Sequence, residues 1–324
     1  MTNQPGTIIR LLSKVTLALA MGLALFSGGN AIASTDQTPS GRAAPDHTGE
    51  ISRILAIQAM ADAGDASAQY TLGVMYERGQ GVSKDETQAV SWYQRAAAQG
   101  LATAQYNLAT MYSLGHGTVR NEIAAVSWYR KAADQGIAAA QNNLGTMYSK
   151  GLGIARDDAQ AVFWYRKAAS QGLAAAQGNI GTMYADGRGV EKNLKTAIQW
   201  LLKAADQGFA GAENNLGVLS NYSIGAELSG GSPIEWFQRA ASKGYPPAQV
   251  NLGNLYLMGS GVPQDDTQAI FWYRKAAEQG FAPAQVALGN MYALGRGVRK
   301  DGVQAAIWYR KASKQNSVAP ADNP

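Results

Sequence analysis

The chain has 324 residues, 46% of them hydrophobic, 16% charged and none of them cysteine. That apolar share is ample for a packed core and excludes a disordered chain, while the missing cysteines exclude disulfide staples and a lipid anchor on an N-terminal cysteine. The 28 Lys and Arg outnumber the 23 Asp and Glu without any long run of one sign, so no polyelectrolyte partner is implied.

In chain order, residues 1–33 read as a secretory signal peptide. Arg10 and Lys14 form a positive start, Val15 to Phe26 an apolar stretch, and Ala31-Ile32-Ala33 a small-x-small cleavage site. The apolar stretch is too short for a bilayer, which needs about 20 residues, and no later segment is long enough either. Cleavage before Ser34 removes two cations, leaving 26 against 23 acids. The basic excess that nucleic-acid binding needs is then small, so no nucleic-acid partner is expected, nor a transmembrane segment after cleavage. A periplasmic or secreted location follows. Residues 34–50 read as a flexible leader, and 51–63, "ISRILAIQAMADA", as an N-terminal capping helix.

From Gly64 the sequence repeats every 36 residues without insertion, in seven units that open at Gly64, Gly100, Gly136, Gly172, Gly208, Gly244 and Gly280 and end at Gln315. In the first unit, Ala68, Leu72, Met75 and Tyr76 place one stripe on a helix over 66–78, and Gly79 stops it. Twenty-one places after each opening glycine stand Asp85, Asn121, Asp157, Asn193, Ser229, Asp265 and Asp301, all favoured N-caps, so a second helix starts there. Its inner face is Ala89, Trp92, Tyr93, Ala96 and Ala97. All seven tryptophans fall at the place of Trp92, which marks them as core. Such a helix pair cannot bury its apolar face alone, so the pairs must stack: the fold class is all-α, a right-handed α-solenoid of seven 36-residue helix-turn-helix repeats. The unit 208–243 is degenerate. Pro233 inside its second helix would cost about 3 kcal/mol, whereas Ser232, Pro233 and Glu235 make a new start, so this helix is expected to begin near Ser232 after an exposed loop from about Ser220 to Gly231. Residues 316–324 read as a disordered tail.

The stretch "AQYNLATMYSLGHGTVRNEIAAVSWYRKAADQG" (104–136) carries a pattern, A-x-x-x-L-G-x-M-Y-x-x-G-x-G-V and then W-Y-x-K-A-A, that resembles the Sel1-like repeat, a relative of the tetratricopeptide repeat. The resemblance covers 64–315 and implies an exported bacterial interaction scaffold that binds another protein, in envelope signalling or host interaction. Some cysteine-rich relatives are linked to penicillin hydrolysis, but the missing cysteines remove that likeness, and a beta-lactamase-like hydrolase is the remoter alternative.

Catalytic chemistry has little to stand on. The two histidines, His47 and His116, are far apart and cysteine is absent, so neither a zinc set nor a nucleophile–histidine pair is expected, and no cofactor is. The Gly-x-Gly loops lack the preceding strand of a phosphate loop. Basic pairs such as Arg130-Lys131, Arg166-Lys167 and Arg274-Lys275 read as a solvated outer face near helix C-termini.

One feature exceeds structural need. Opposite the core stripe of the first helices, at the place of Thr71, stand Asn107, Asn143, Asn179, Asn215 and Asn251, although asparagine is a poor helix-interior residue. Such a row lines the concave groove of tetratricopeptide-like solenoids and is suited to clamp the backbone of an extended peptide; bonding between neighbouring helices is the competing use. Tyr70, Tyr106, Lys150, Asp186, Tyr222 and Met258 flank it as candidates for specificity. Tyr70 and Tyr106 also suit sugar stacking, so a glycan-binding scaffold of cell-wall or exopolysaccharide machinery is the alternative.

Overall fold

The computed structural model describes residues 47–220, 227 and 229–316. Among them are α1 (His47–Asp62), α2 (Ala66–Arg78), α3 (Glu86–Ala98), α4 (Ala102–Leu114), α5 (Glu122–Asp134), α6 (Ala138–Lys150), α7 (Asp158–Ser170) and α8 (Ala174–Asp186). The others are α9 (Leu194–Asp206), α10 (Ala210–Leu219), α11 (Pro233–Ser242), α12 (Pro246–Met258), α13 (Asp266–Glu278), α14 (Ala282–Leu294) and α15 (Gly302–Asn316). No strand occurs among the described residues. They form two compact units: one runs to Ala176 and takes in Arg188–Glu191, the other comprises Gln177–Gly187 and everything from Lys192. The segment read as a signal peptide lies outside the described residues. The first four residues of α1, 47 to 50, come from the stretch read as a flexible leader.

The even-numbered helices from α2 to α14 are the first members of the repeat pairs, and the odd-numbered helices from α3 to α15 are the second. The first members end where glycine accepts the left-handed conformation: Gly79, Gly115 and Gly151 have φ of 68°, 74° and 70° and donate back to the carbonyls of Met75, Met111 and Met147. The second members start on side-chain caps. Asp85, Asn121, Asp157, Asn193 and Asp265 each accept from the first helical turn, a contact worth about 1 kcal/mol.

In six of the seven pairs the first helix carries glycine where the second carries its large inner-face side chain, with Ala109 opposite Tyr129 in the other, so the helices approach closely. A Cβ on Gly73 would lie 2.5 Å from the Tyr93 ring. Tyr93, Tyr129 and Tyr273 are each at most 1% exposed, covered by their own pair and by the next. The aromatic beside them is finished differently from a plain core residue: each of the seven tryptophans carries a cation from three places further along its helix. Lys131 stands 3.9 Å over the Trp128 ring, Arg95 4.4 Å over Trp92 and Lys311 4.1 Å over Trp308, each contact worth about 0.5–1 kcal/mol at an exposed site. Of the basic pairs read as a solvated outer face, Lys131, Lys167 and Lys275 therefore cover indole faces.

A buried amide ladder ties one repeat to the next. Gln69 donates to the Ala61 carbonyl and accepts from Gln99; Gln105 donates to Ala97 and accepts from Gln135; Gln141 donates to Ala133 and accepts from Gln171. In the second unit Gln249 and Gln279 repeat the arrangement. The exception is the degenerate repeat. There Glu213, fully buried, replaces the first glutamine, and Lys243, 2.8 Å away, replaces the second. A carboxylate has no proton for the Ala205 carbonyl, and Arg239, which bonds Glu213 at 3.0 Å, supplies it instead.

The second helix of that repeat, α11, begins as expected, with Ser232 and Glu235 forming a capping box and Pro233 in the first turn. Ser229 is thus no N-cap. Ser220 and Ser229 are 5% and 4% exposed and their hydroxyls are 2.8 Å apart, so the loop is pinned at these two places while Glu227 and Gly230 are exposed as expected; residues 221–226 and 228 lie outside the described residues. The shortened helix leaves a mark further on. Elsewhere the second loop glycine is pressed on the first turn of the preceding repeat's second helix, so that a Cβ on Gly189 (φ +65°) would sit 2.2 Å from the Asp158 carbonyl oxygen, whereas Gly261 (φ +74°) has nothing within 4 Å.

The charge substitution in the ladder gives a test by double-mutant cycle. Lys243→Ala leaves a fully buried carboxylate with one cation and should cost about 3 kcal/mol in chemical denaturation. Changing Glu213→Gln and Lys243→Gln together restores the pair used by other repeats and should cost less than either change alone; a double variant worse than both singles contradicts this account.

Candidate functional site

Each described residue singled out from the sequence sits on the first helix of its pair. Tyr70 and Tyr106 are half-buried, their rings tilted against Tyr93 and Tyr129 at centroid distances of 5.8 and 5.9 Å. Asn107, Asn143, Asn179 and Asn215 are half-buried. Lys150 and Asp186 are exposed, as is Met258 at 42%, and Tyr222 lies outside the described residues.

The asparagines are engaged with the stack. Asn107 stands at the Tyr93 phenol and Asn143 at those of Tyr129 and Tyr106, where hydrogen bonding works against the effect of burial; burial prevails and pushes Tyr129 up to about 12. The phenol of Tyr129 therefore stays protonated, and it shares a 3.0 Å bond with the Thr110 hydroxyl. Tyr165 repeats this with Thr146, and Tyr273 donates to Asn254. In the repeat of α8 and α9 the tyrosine is replaced by Leu201, and Thr182, left without a phenol, accepts from Asn215 at 3.0 Å. In the next repeat Phe237 faces Val218 and neither needs a partner.

Asn251 corrects the sequence reading outright. It is 4% exposed and donates to Asn214 Oδ1 at 2.9 Å, so its amide faces the protein interior. Gly211 and Pro247 on the same side of α10 and α12 are buried as well. The row is thus a partly submerged inter-helix network, exposed at Thr71, half-buried from Asn107 to Asn215 and buried at Asn251.

Several first helices end on an exposed residue just before the stopping glycine. Arg78 and Lys150 are exposed, Leu114 is 43% exposed and Leu294 65%. Leu114 and Leu294 escaped the sequence reading, although the signal was present: the place holds Arg, Leu, Lys, Asp, Tyr, Met and Leu in turn, while the glycine after it recurs in almost every repeat. Exposed side chains of changing chemistry on a constant frame suit recognition better than catalysis. Among the described residues no three His, Cys, Asp or Glu are placed to hold a metal ion, and no helix is long and apolar enough to cross a membrane.

The profile described as Sel1 repeat matches residues 66–101, 102–137, 138–173, 174–209, 210–245, 246–281 and 282–317, the same seven repeats with each boundary moved two residues to the start of the first helix. Among curated proteins none matches this chain. A crystal structure of a Sel1 repeat protein from Oxalobacter formigenes is 37% identical, covers 85% of this chain and 80% of its own, and superposes with a TM-score of 0.65. A protective antigen present in uropathogenic Escherichia coli strains, described as displaying an SLR fold, is 38% identical over 81% of this chain, with a TM-score of 0.65; the present chain spans 56% of that protein. An immunity protein from Pseudomonas aeruginosa, 23% identical over 67% of this chain and 82% of its own at a TM-score of 0.51, shares the fold alone.

The network reading of the asparagines separates them by experiment. Asn251→Ala leaves the buried Asn214 oxygen without its donor and should cost about 1–3 kcal/mol, measured by chemical denaturation. At Thr71, the exposed member of the row, Thr71→Ala should change stability by about 0.5 kcal/mol or less. Equal effects at the two places would refute the assignment.

Proposed function

The chain belongs to the Sel1 repeat family, and from that premise we propose that it is an exported interaction scaffold whose first-helix face captures another protein. The observation that supports this most is the pairing of a constant, fully packed frame with the varied exposed residues at the ends of the first helices, among them Arg78, Leu114 and Lys150 in the first compact unit. Exposed apolar residues such as Leu114 together with cations such as Arg78 and Lys150 in the same unit match the mixed chemistry of protein interfaces. Asn107 and Asn143 add amides that can bond a bound backbone at the edge of this row. The reading is one of binding rather than catalysis.

Protein capture is favoured over glycan binding by the two tyrosines on which the latter rests. Tyr70 and Tyr106 are half-buried and lean on Tyr93 and Tyr129, so their rings do not stand clear as sugar-stacking platforms. Export rests on the signal-peptide pattern of residues 1–33, and places the scaffold in the periplasm or outside the cell, with roles in envelope signalling or host contact.

A photo-crosslinking amino acid installed in place of Arg78, Leu114 or Lys150, in cells expressing the full chain, should trap one and the same partner protein. Installed at Thr87 or Ile123, exposed on the second helices, it should not trap that partner. The secreted or periplasmic product should begin at Ser34 by mass spectrometry. Crosslinking of the partner only from the second helices would move the binding face, and a product retaining residue 1 inside the cell would overturn export.

A further inference from the structure

The outer side of α7 carries a feature the frame does not require. Phe163 is 47% exposed at a place where four other repeats have Ser91, Ser127, Gln199 and Glu235. Its ring is held rather than loose: it meets Trp164 edge-on at 5.0 Å, and the Lys167 ammonium sits 4.6 Å over it. Beside it opens a pocket of about 570 Å³ whose apolar lining is Ala159, Val162, Phe163 and Val190, with Arg166 and Lys167 among its walls. The floor is open because Gly189 has no side chain and can have none against the Asp158 carbonyl.

The charge that lines the pocket has one sign. Its lining holds two cations and no carboxylate. The nearby Asp158 is held by Arg156 at 2.7 Å and by Arg188 at 2.6 Å, and these keep its carboxyl below the usual range against the opposing effect of burial. A shallow apolar depression rimmed by cations is complementary to an apolar group flanked by anions. Cations alone would suit any polyanion; the half-exposed phenyl and the aliphatic floor are what a polyanion has no use for.

We propose that this pocket docks an acidic peptide segment of a partner, one apolar side chain entering between Phe163 and Val190 while carboxylates on either side pair with Arg166 and Lys167. The site lies on a second helix and stands independently of the first-helix face. A near copy exists in the second compact unit. Phe271 is 46% exposed, edge-on to Trp272 at 5.0 Å and under Lys275 at 4.6 Å, and the flanking sequences 157–172 and 265–280 differ at only three places. One of the three puts Glu278 where Ser170 stands, so the copy binds the same peptide more weakly through like-charge repulsion.

The test uses the full mature chain and a fluorescein-labelled peptide with a single leucine between two pairs of glutamates, monitored by anisotropy at low salt. Binding should weaken at least tenfold in Phe163→Ser and in Arg166→Gln, which install the residues that the first repeat carries as Ser91 and Gln94 and therefore leave the fold intact. Phe271→Ser should have the smaller effect, and a peptide with glutamine for glutamate or glycine for leucine should bind at least tenfold less well. Failure of the peptide to bind the unaltered chain, or equal binding by the Phe163→Ser/Phe271→Ser variant, overturns the proposal. So does binding of the leucine-free peptide or of polyphosphate as tight as that of the leucine peptide, which would make the site a polyanion patch.

Discussion

A helix pair of this kind can cover the aromatic in the middle of its second helix only if another pair stacks upon it. Tyr273 is 1% exposed, and the residue at the same place in the seventh repeat, Tyr309, is 38% exposed. The tyrosine, the glycine opposite it and the small residues that let the helices approach are meaningful only as parts of a stack. The seventh repeat is modified to match its more open position. The valine or isoleucine that the other six carry at this place becomes Ala306, and the alanine whose carbonyl in most repeats receives the next glutamine becomes Ser313, both of which reduce the apolar surface on the side it exposes.

Because the frame repeats, its departures can be read as linked changes. Glutamine against glutamine becomes Glu213 against Lys243 and Arg239; tyrosine with threonine becomes Phe237 with Val218; where only the phenol is lost, at Leu201, Asn215 comes across to Thr182. In each case a buried donor or acceptor keeps a partner or disappears together with it, because an unmatched one costs about 1–3 kcal/mol. The degenerate repeat is therefore a consistent variant of the frame, with a later helix start at Ser232 and a relaxed contact at Gly261.

Against so regular a background, the residues that vary without a compensating change are the functional candidates. They lie on two kinds of surface: the exposed ends of the first helices, and the cation-covered second helices where Phe163 and Phe271 break the run of polar residues. The first is a row of single side chains spaced by the repeat; the second is a built pocket with an anchor and a charged rim. A scaffold that presents both can hold different chemistries with one architecture.

Helix positions, repeat number, the N-caps other than Ser229 and the new start at Ser232 were legible in the sequence because each depends on local signals: periodicity, a capping side chain, a proline in the first turn, a glycine after the last. The chemistry of the ends of the first helices was also open to reading, since variation before a recurrent glycine needs no coordinates. What the sequence could not distinguish was whether a polar side chain on the outer stripe of a helix points to water or to a neighbouring helix. Asn251 and Thr71 occupy the same place in their repeats, yet one is buried against Asn214 and the other is exposed. Burial at such places is set by the distance between adjacent helices, and that distance depends on residues a whole repeat away, which only the tertiary structure brings together.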